Sequence, residues 1–318
     1  MTKKPALLFA AFSMAVIVLG LTRLAAQSGQ SSSPAKADKP PESIRINVEL
    51  VNVAFSVRDK KGKLVTDLNQ EDFKIFENHL EQQVTNFSRE TDLPLAVSLL
   101  IDSSASIREK LKFEQEATME FFHSTLRRKI DRGMLVSFDI AIDILQDFTD
   151  DPDLLTKAVK KIKPGGGTKM YDAIYLACQE KLKNDPAPRK ALLLISDGDD
   201  NSSNQDLETV VEVARRSDVS IYAISTNSSG FFGMASPKLD KVLKVLAEET
   251  GGRALFPFKA DELALSFMDI SQELRSQYTL AYRTTNPVRD GTFRSIRIDC
   301  ARKDMKIKTR KGYYAQKS

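Results

Sequence analysis

The chain has 318 residues, 47 Lys+Arg against 43 Asp+Glu, a net charge of +4, two His, two Cys and no Trp. Its ordinary aromatic, Gly and Pro content describes a globular protein and excludes collagen-like, disordered and many-spanning membrane classes. So few Cys and His exclude a structural zinc site and a disulfide-stapled scaffold, and the near-balanced charge beyond residue 43 argues against nucleic acid as a partner.

Lys3 and Lys4 precede an apolar run from Ala6 to Leu21, and Ala25-Ala26 follow it. This is the pattern of a signal peptide over residues 1–26. Leu24 fits an A-x-A cleavage site poorly, and the run nears bilayer-spanning length, so an uncleaved anchor stays open. Either way Lys3 and Lys4 stay cytoplasmic and the rest is exported: periplasmic, secreted or held by this segment, its one membrane contact. No Cys stands near the cleavage region, which excludes a lipoprotein anchor. Residues 27–43, rich in Ser and Pro, read as a disordered linker.

Residues 44–90 alternate as strands do. Val51, Val53, Phe55 and Val57 lead into the turn signal Asp59–Gly62, and Phe73–Asn78 and Gln83–Phe87 follow. From Leu95 the pattern changes. Leu95–Ile101 is an apolar run interrupted only by Ser98, as for a parallel strand covered on both faces. A helix is expected over Ile107–Arg127, with Leu111, Ala117, Phe121 and Phe122 on its apolar side. Strands Met134–Phe138 and Ile142–Leu145 come next, then helices Asp153–Ile162 and Tyr171–Leu182 and a second apolar strand, Ala191–Ile195. Helix Leu207–Arg216, strand Val219–Ile224, helix Leu239–Glu249, strand Arg253–Phe256 and helix Glu262–Gln277 complete the series. Strands alternating with helices predict an α/β fold with a doubly wound, mostly parallel sheet over 91–277.

After Gln277 the strand pattern returns in Tyr278–Tyr282, Phe293–Asp299, Met305–Thr309 and Gly312–Tyr314. Neither flank alone makes a domain, but together they supply about six strands, enough for a small sheet pair. The expectation is a discontinuous β-sandwich, 44–90 plus 278–316, with the α/β domain inserted in it. Cys178 and Cys300 fall in different segments and are expected to be separate thiols.

Where the first apolar strand ends the chain reads Asp102-Ser103-Ser104-Ala105-Ser106. Ligands of doubly wound sheets bind outside the carboxyl ends of strands. Alternation in an extended loop turns Asp102, Ser104 and Ser106 the same way. Two more loops belong to the same end: Pro164–Thr168, whose glycines let Thr168 approach closely, and Ser196-Asp197-Gly198 after the second apolar strand. Asp102, Ser104, Ser106, Thr168 and Asp197 offer oxygen only, which suits a hard cation: Mg²⁺, or Ca²⁺ or Mn²⁺ in its place.

These residues resemble the von Willebrand factor type A domain and its metal-ion-dependent adhesion site. The family's D-x-S-x-S corresponds to Asp102, Ser104 and Ser106, its separate Thr to Thr168 and its D-G acid to Asp197, with no departure over residues 91–275. The flanks, through Val65–Leu68, Asp72-Phe73 and Lys311–Tyr314, resemble bacterial secreted proteins related to that family. The resemblance implies a cell-adhesion or protein-interaction role. The chemistry agrees: two carboxylates and neutral hydroxyls leave a dication electrophilic, ready for an Asp or Glu of a partner protein.

Other readings stand beside this one. Ser106 alone would be a plain helix cap, and Asp199, Asp200 and Asn201 a second ion site or, more simply, a solvated loop. An assembly protein with a merely stabilising metal is the competing class, and a phosphatase-like hydrolase the third. Against the hydrolase, Ser104 stands where a dehalogenase-type enzyme needs a second acid, and neither His79 nor His123 lies beside Ser104. No catalytic residue is expected.

Overall fold

The structure, a computed structural model, describes residues 50–89, 93–105, 110–227, 236–258 and 260–317. The leader, the linker, Ser106 and residues 228–235 lie outside the described residues. Among those described, no helix is long and apolar enough to cross a membrane.

The central layer is a six-stranded sheet of β5 (Leu95–Asp102), β6 (Arg132–Phe138), β7 (Ile142–Thr149), β8 (Arg189–Ser196), β9 (Ser220–Ser225) and β10 (Ala254–Leu255). Their spatial order is β10-β9-β8-β5-β6-β7. All pairings are parallel except β6 with β7, which runs antiparallel. Only three residues, Asp139–Ala141, join those two strands, too few for the crossover that a parallel pair needs.

Between them run α1 (Leu111–Thr125), α2 (Pro152–Val159), α3 (Met170–Leu176), α4 (Leu207–Arg216), α5 (Pro237–Thr250) and α6 (Ala260–Arg275). β5 is buried along its whole length and its side chains alternate between two cores. Leu95, Val97, Leu99 and Ile101 pack with Phe121 and Phe122 of α1, Leu155 of α2 and Phe267 and Ile270 of α6. Ala96 and Leu100 face the other way, to Met170 and Ile174 of α3, Val210 of α4 and Leu243 of α5. The apolar run thus has helices on both faces. α3 continues into a π-helical stretch, Ala177–Leu182, in place of the plain helix expected over Tyr171–Leu182. α4 starts where Asp206 accepts a hydrogen bond from Thr209 N, and α5 ends at Gly251, whose φ of 86° is free to a residue without a Cβ.

The flanks build two four-stranded sheets from β1 (Leu50–Arg58), β2 (Phe73–Glu77), β3 (Leu80–Gln82), β4 (Val84–Ser88), β11 (Tyr278–Arg283), β12 (Phe293–Cys300), β13 (Lys306–Thr309) and β14 (Gly312–Tyr314). One has the order β13-β1-β11-β4 and the other β14-β12-β2-β3, so each mixes strands from before and after the α/β region. Val53, Phe55 and Val57 of β1 share a core with Ile75, Tyr278, Leu280 and Ile298. Phe55 stacks on Tyr278 at 5.4 Å and meets Phe73 edge-on at 4.9 Å. The short β3 is an addition to the expected strands. Asn78 and His79, at φ 46° and 72°, reverse the chain where sequence reading runs the strand on through Asn78. Cys178 and Cys300 are free thiols.

α6 joins the two regions, since it runs into β11 and carries Glu273, which is wholly buried. Glu273 accepts hydrogen bonds from Ser56 Oγ at 3.0 Å, Arg58 Nη2 at 2.6 Å and Tyr222 OH at 3.4 Å. Arg253 lies 3.1 Å from the same carboxylate.

Candidate functional site

In the sheet order, β6 and β7 extend to one side of β5 while β8, β9 and β10 extend to the other. The winding reverses between β5 and β8, and the crevice beyond such a reversal is where doubly wound sheets bind ligands. Asp102 is the last residue of β5, and Asp197 follows the last residue of β8. The two acids thus flank the reversal because each apolar strand stops at its first carboxylate.

The third loop is drawn to the same rim by its backbone. Gly165 N donates to Ser103 O at 2.6 Å and Ala105 N to Gly166 O at 3.2 Å, which lace the 102–105 loop to the 164–168 loop. Asn201 N and Ser202 N donate to Thr168 O at 3.2 and 3.1 Å, and Thr168 N donates to Asn201 Oδ1 at 3.0 Å. Ser196 Oγ closes the ring by donating to Asp102 Oδ2 at 2.9 Å. A Cβ at 165 would sit 1.5 Å from Asp139 Oδ2, so any larger residue there must displace the Asp139 side chain.

Asp102, Ser104 and Thr168 are buried and Asp197 is half-buried. Asp102 Oδ1 accepts from Ser104 N at 2.9 Å, and Asp197 Oδ1 accepts from Asp199 N at 3.0 Å. Four of the five residues expected at the site therefore lie on three mutually bonded loops, while Ser106 falls outside the described residues. Asp200 accepts from Tyr171 N and Ser203 Oγ, and so ties its loop to the start of α3. His79 lies in the β2–β3 turn. His123 is exposed on α1, with Nε2 3.0 Å from Thr156 Oγ1.

Residues 97–199 match the family model of the von Willebrand factor type A domain. The chain contains a von Willebrand factor type A domain. The A domain's fold recurs in proximal thread matrix protein 1 from the mussel byssus, at 16% identity and a TM-score of 0.51, covering 63% of this chain and 51% of that one. The chain thus spans about half the length of the mussel protein. A von Willebrand factor type A structure from Catenulispora acidiphila is similar over 86% of this chain and 75% of its own, at 13% identity and a TM-score of 0.50. A further structure of the mussel protein, described as having a zinc-occupied MIDAS motif, matches at 16% identity and a TM-score of 0.50 over 62% of this chain and 49% of that one. Likeness at these identities speaks for the fold. No curated protein matches the chain in sequence.

The oxygen-only donors on the A domain's rim suit a hard divalent cation better than a soft one. Among the described residues no group of three or more His, Cys, Asp or Glu could hold a metal ion, so an ion here relies on two acids and on hydroxyls. The electrostatics favour a cation. Burial and the neighbouring Asp197 carboxylate push the Asp102 carboxyl up to about 6, against the bonds from Ser104 and Ser196. A second buried acid, Glu114 in α1, is pushed up to about 8 by burial and by the charges of Asp102 and Asp197, against Lys110. The sequence reading missed both Ser196 and Glu114. Ser196 gives no signal of its own. Glu114 does, because it stands three residues after Leu111 and seven before Phe121, on the helix face marked by apolar residues.

A pH dependence follows. Both carboxyls hold their proton more tightly folded than unfolded, so unfolding releases protons between the unfolded values near 4 and the folded ones. The stability they contribute is complete below about pH 4 and is lost as pH rises through 6 and then 8. From pH 5 to pH 8, at about 1.4 kcal/mol per unit, the loss is on the order of 5 kcal/mol, or about 10 °C in melting temperature. Thermal melts in EDTA should therefore fall from pH 5 to pH 8, and saturating Mg²⁺ should restore most of the loss at pH 8. A flat EDTA profile would contradict this.

Proposed function

We propose that the chain is an exported recognition module that binds a protein partner through a divalent cation held by Asp102, Ser104, Ser106, Thr168 and Asp197. What carries the reading is the closed ring of hydrogen bonds that joins three loops at the sheet's reversal point, each bringing one or more of these oxygen donors. Mg²⁺, the first choice, takes six oxygens and commonly keeps some as water. Two carboxylates offset its charge, the hydroxyls add none, and an Asp or Glu of the partner would displace a water. The mussel structure with a zinc-occupied MIDAS motif is in keeping with a metal at this end of the fold, although it shares only 16% identity. Export rests on the residue pattern of 1–26. The binding reading is preferred to an enzymatic one because the rim gathers candidate oxygen ligands for an ion, while His79 and His123 stand on other elements.

The test is capture of partners from an envelope fraction on the immobilised full chain. Capture in Mg²⁺, lost in EDTA and regained when Mg²⁺ is returned, is the expected result. Capture that survives EDTA would favour an assembly protein whose metal only stabilises it. Turnover of phosphate or acyl esters would favour a hydrolase.

A further inference from the structure

Glu114 is 1% exposed, and among the described residues neither of its carboxylate oxygens has a hydrogen-bond partner. A buried acid left in that state costs several kcal/mol, roughly what an uncompensated buried polar or charged group costs elsewhere. Glutamine or leucine would fill the same space without carrying a charge.

The place of Glu114 in the fold says what could compensate it. Among the described elements α1 is the one that follows β5 and Ser103–Ala105, and Glu114 lies in its first turn. It shares the buried face with Leu111, Thr118 and Phe121, so its side chain enters the interior at the end of the helix nearest the rim. Thr118 Oγ1, one turn further on, also has no hydrogen-bond partner. Asp102 and Asp197 both act on Glu114 as like charges. Lys110 acts on it as an opposite charge, with its Nζ donating to Thr226 O at 2.5 Å. A dication between Asp102 and Asp197 would cancel most of the repulsion that Glu114 feels from the rim.

We propose that Glu114 is a third, deeper carboxylate of the cation site, one that positions and holds the ion through its charge from beneath the loop rather than by ligating it. This rests on the cation-binding reading above. Glu114 is a positioning residue, since no group of three acids closes directly around an ion among the described residues. It adds a negative charge on the buried side and leaves the outward side of the ion open to a partner.

The experiment is Mn²⁺ binding to the full chain at pH 7.5, followed by the paramagnetic resonance signal of free Mn²⁺, for the wild type, Glu114→Gln and Asp102→Ala. Each is also melted in EDTA. Glu114→Gln should weaken Mn²⁺ binding about tenfold or more, with an EDTA-form melting temperature equal to or above that of the wild type, and Glu114→Asp should regain part of the affinity. A merely structural glutamate would do the reverse, lowering the EDTA-form melting temperature and leaving Mn²⁺ affinity unchanged. Wild-type affinity in Glu114→Gln, with binding lost in Asp102→Ala, overturns this proposal and leaves the cation site standing. No Mn²⁺ binding by the wild type itself removes the site and this role with it.

Discussion

Asp102→Ala should abolish cation binding and every cation-dependent capture of a partner, while the metal-free protein stays folded. Asp102 supplies one of the two carboxylates on the rim, and it is fully buried at the point where the sheet's winding reverses. In so dry a place a unit charge at ligand distance is worth several kcal/mol, so a loss of about a hundredfold or more in Mg²⁺ affinity is expected. The metal-free fold loses less. Removing the carboxyl leaves Ser104 N and Ser196 Oγ without their acceptor, but Ser196 Oγ keeps the bond it accepts from Gly198 N at 3.1 Å. The change also removes a carboxyl that burial and Asp197 disfavour in its charged form. Calorimetry with Mg²⁺ and melting in EDTA separate the two effects. Loss of the thermal transition itself would make Asp102 a structural residue, and retained affinity would place the ion elsewhere.

The largest loss of stability is expected from Glu273→Ala, far from the rim. Glu273 gathers Ser56 and Arg58 of β1, Tyr222 of β9 and Arg253 around one buried carboxylate. Asp269, a turn earlier on α6, meets the same two arginines, Arg58 at 2.8 Å and Arg253 at 2.5 Å. Alanine would leave both guanidiniums, mostly buried, facing only the more exposed Asp269. Breaking a buried pair from one side costs about 3–5 kcal/mol because it strands the other charge. A drop of about 10 °C in melting temperature is expected. Ion affinity measured on the folded variant should be unchanged. A shift below about 2 °C would mean that water reaches these arginines readily.

The α/β order was legible because each element declared itself by period or by an edge. β5 is apolar except for Ser98 up to Asp102, β8 carries the apolar run Ala191–Ile195 just before Ser196 and Asp197, and α4 starts and ends on the residues its pattern marks. That the loops after β5 and β8 come together was legible for the same reason, since parallel strands present their carboxyl ends on one side; the 164–168 loop follows α2 and is held there by its backbone bonds. What escaped has a physical cause in each instance. The antiparallel β7 carries a weak burial pattern and looks like any edge strand by composition; its short connection is the informative feature. The β2–β3 hairpin turns on left-handed Asn78 and His79, and histidine seldom signals such a turn. The π-helical stretch after α3 has no sequence mark that separates it from a continued helix. Ser196 ends a buried strand like any other small residue, and only the distance to Asp102 gives it a role.

The most direct measurement is anomalous diffraction from crystals of the protein soaked in Mn²⁺. The account predicts one strong peak enclosed by the side-chain oxygens of Asp102, Ser104, Thr168 and Asp197. Crystals that take up Mn²⁺ elsewhere, or leave that rim without a peak at millimolar Mn²⁺, would contradict it.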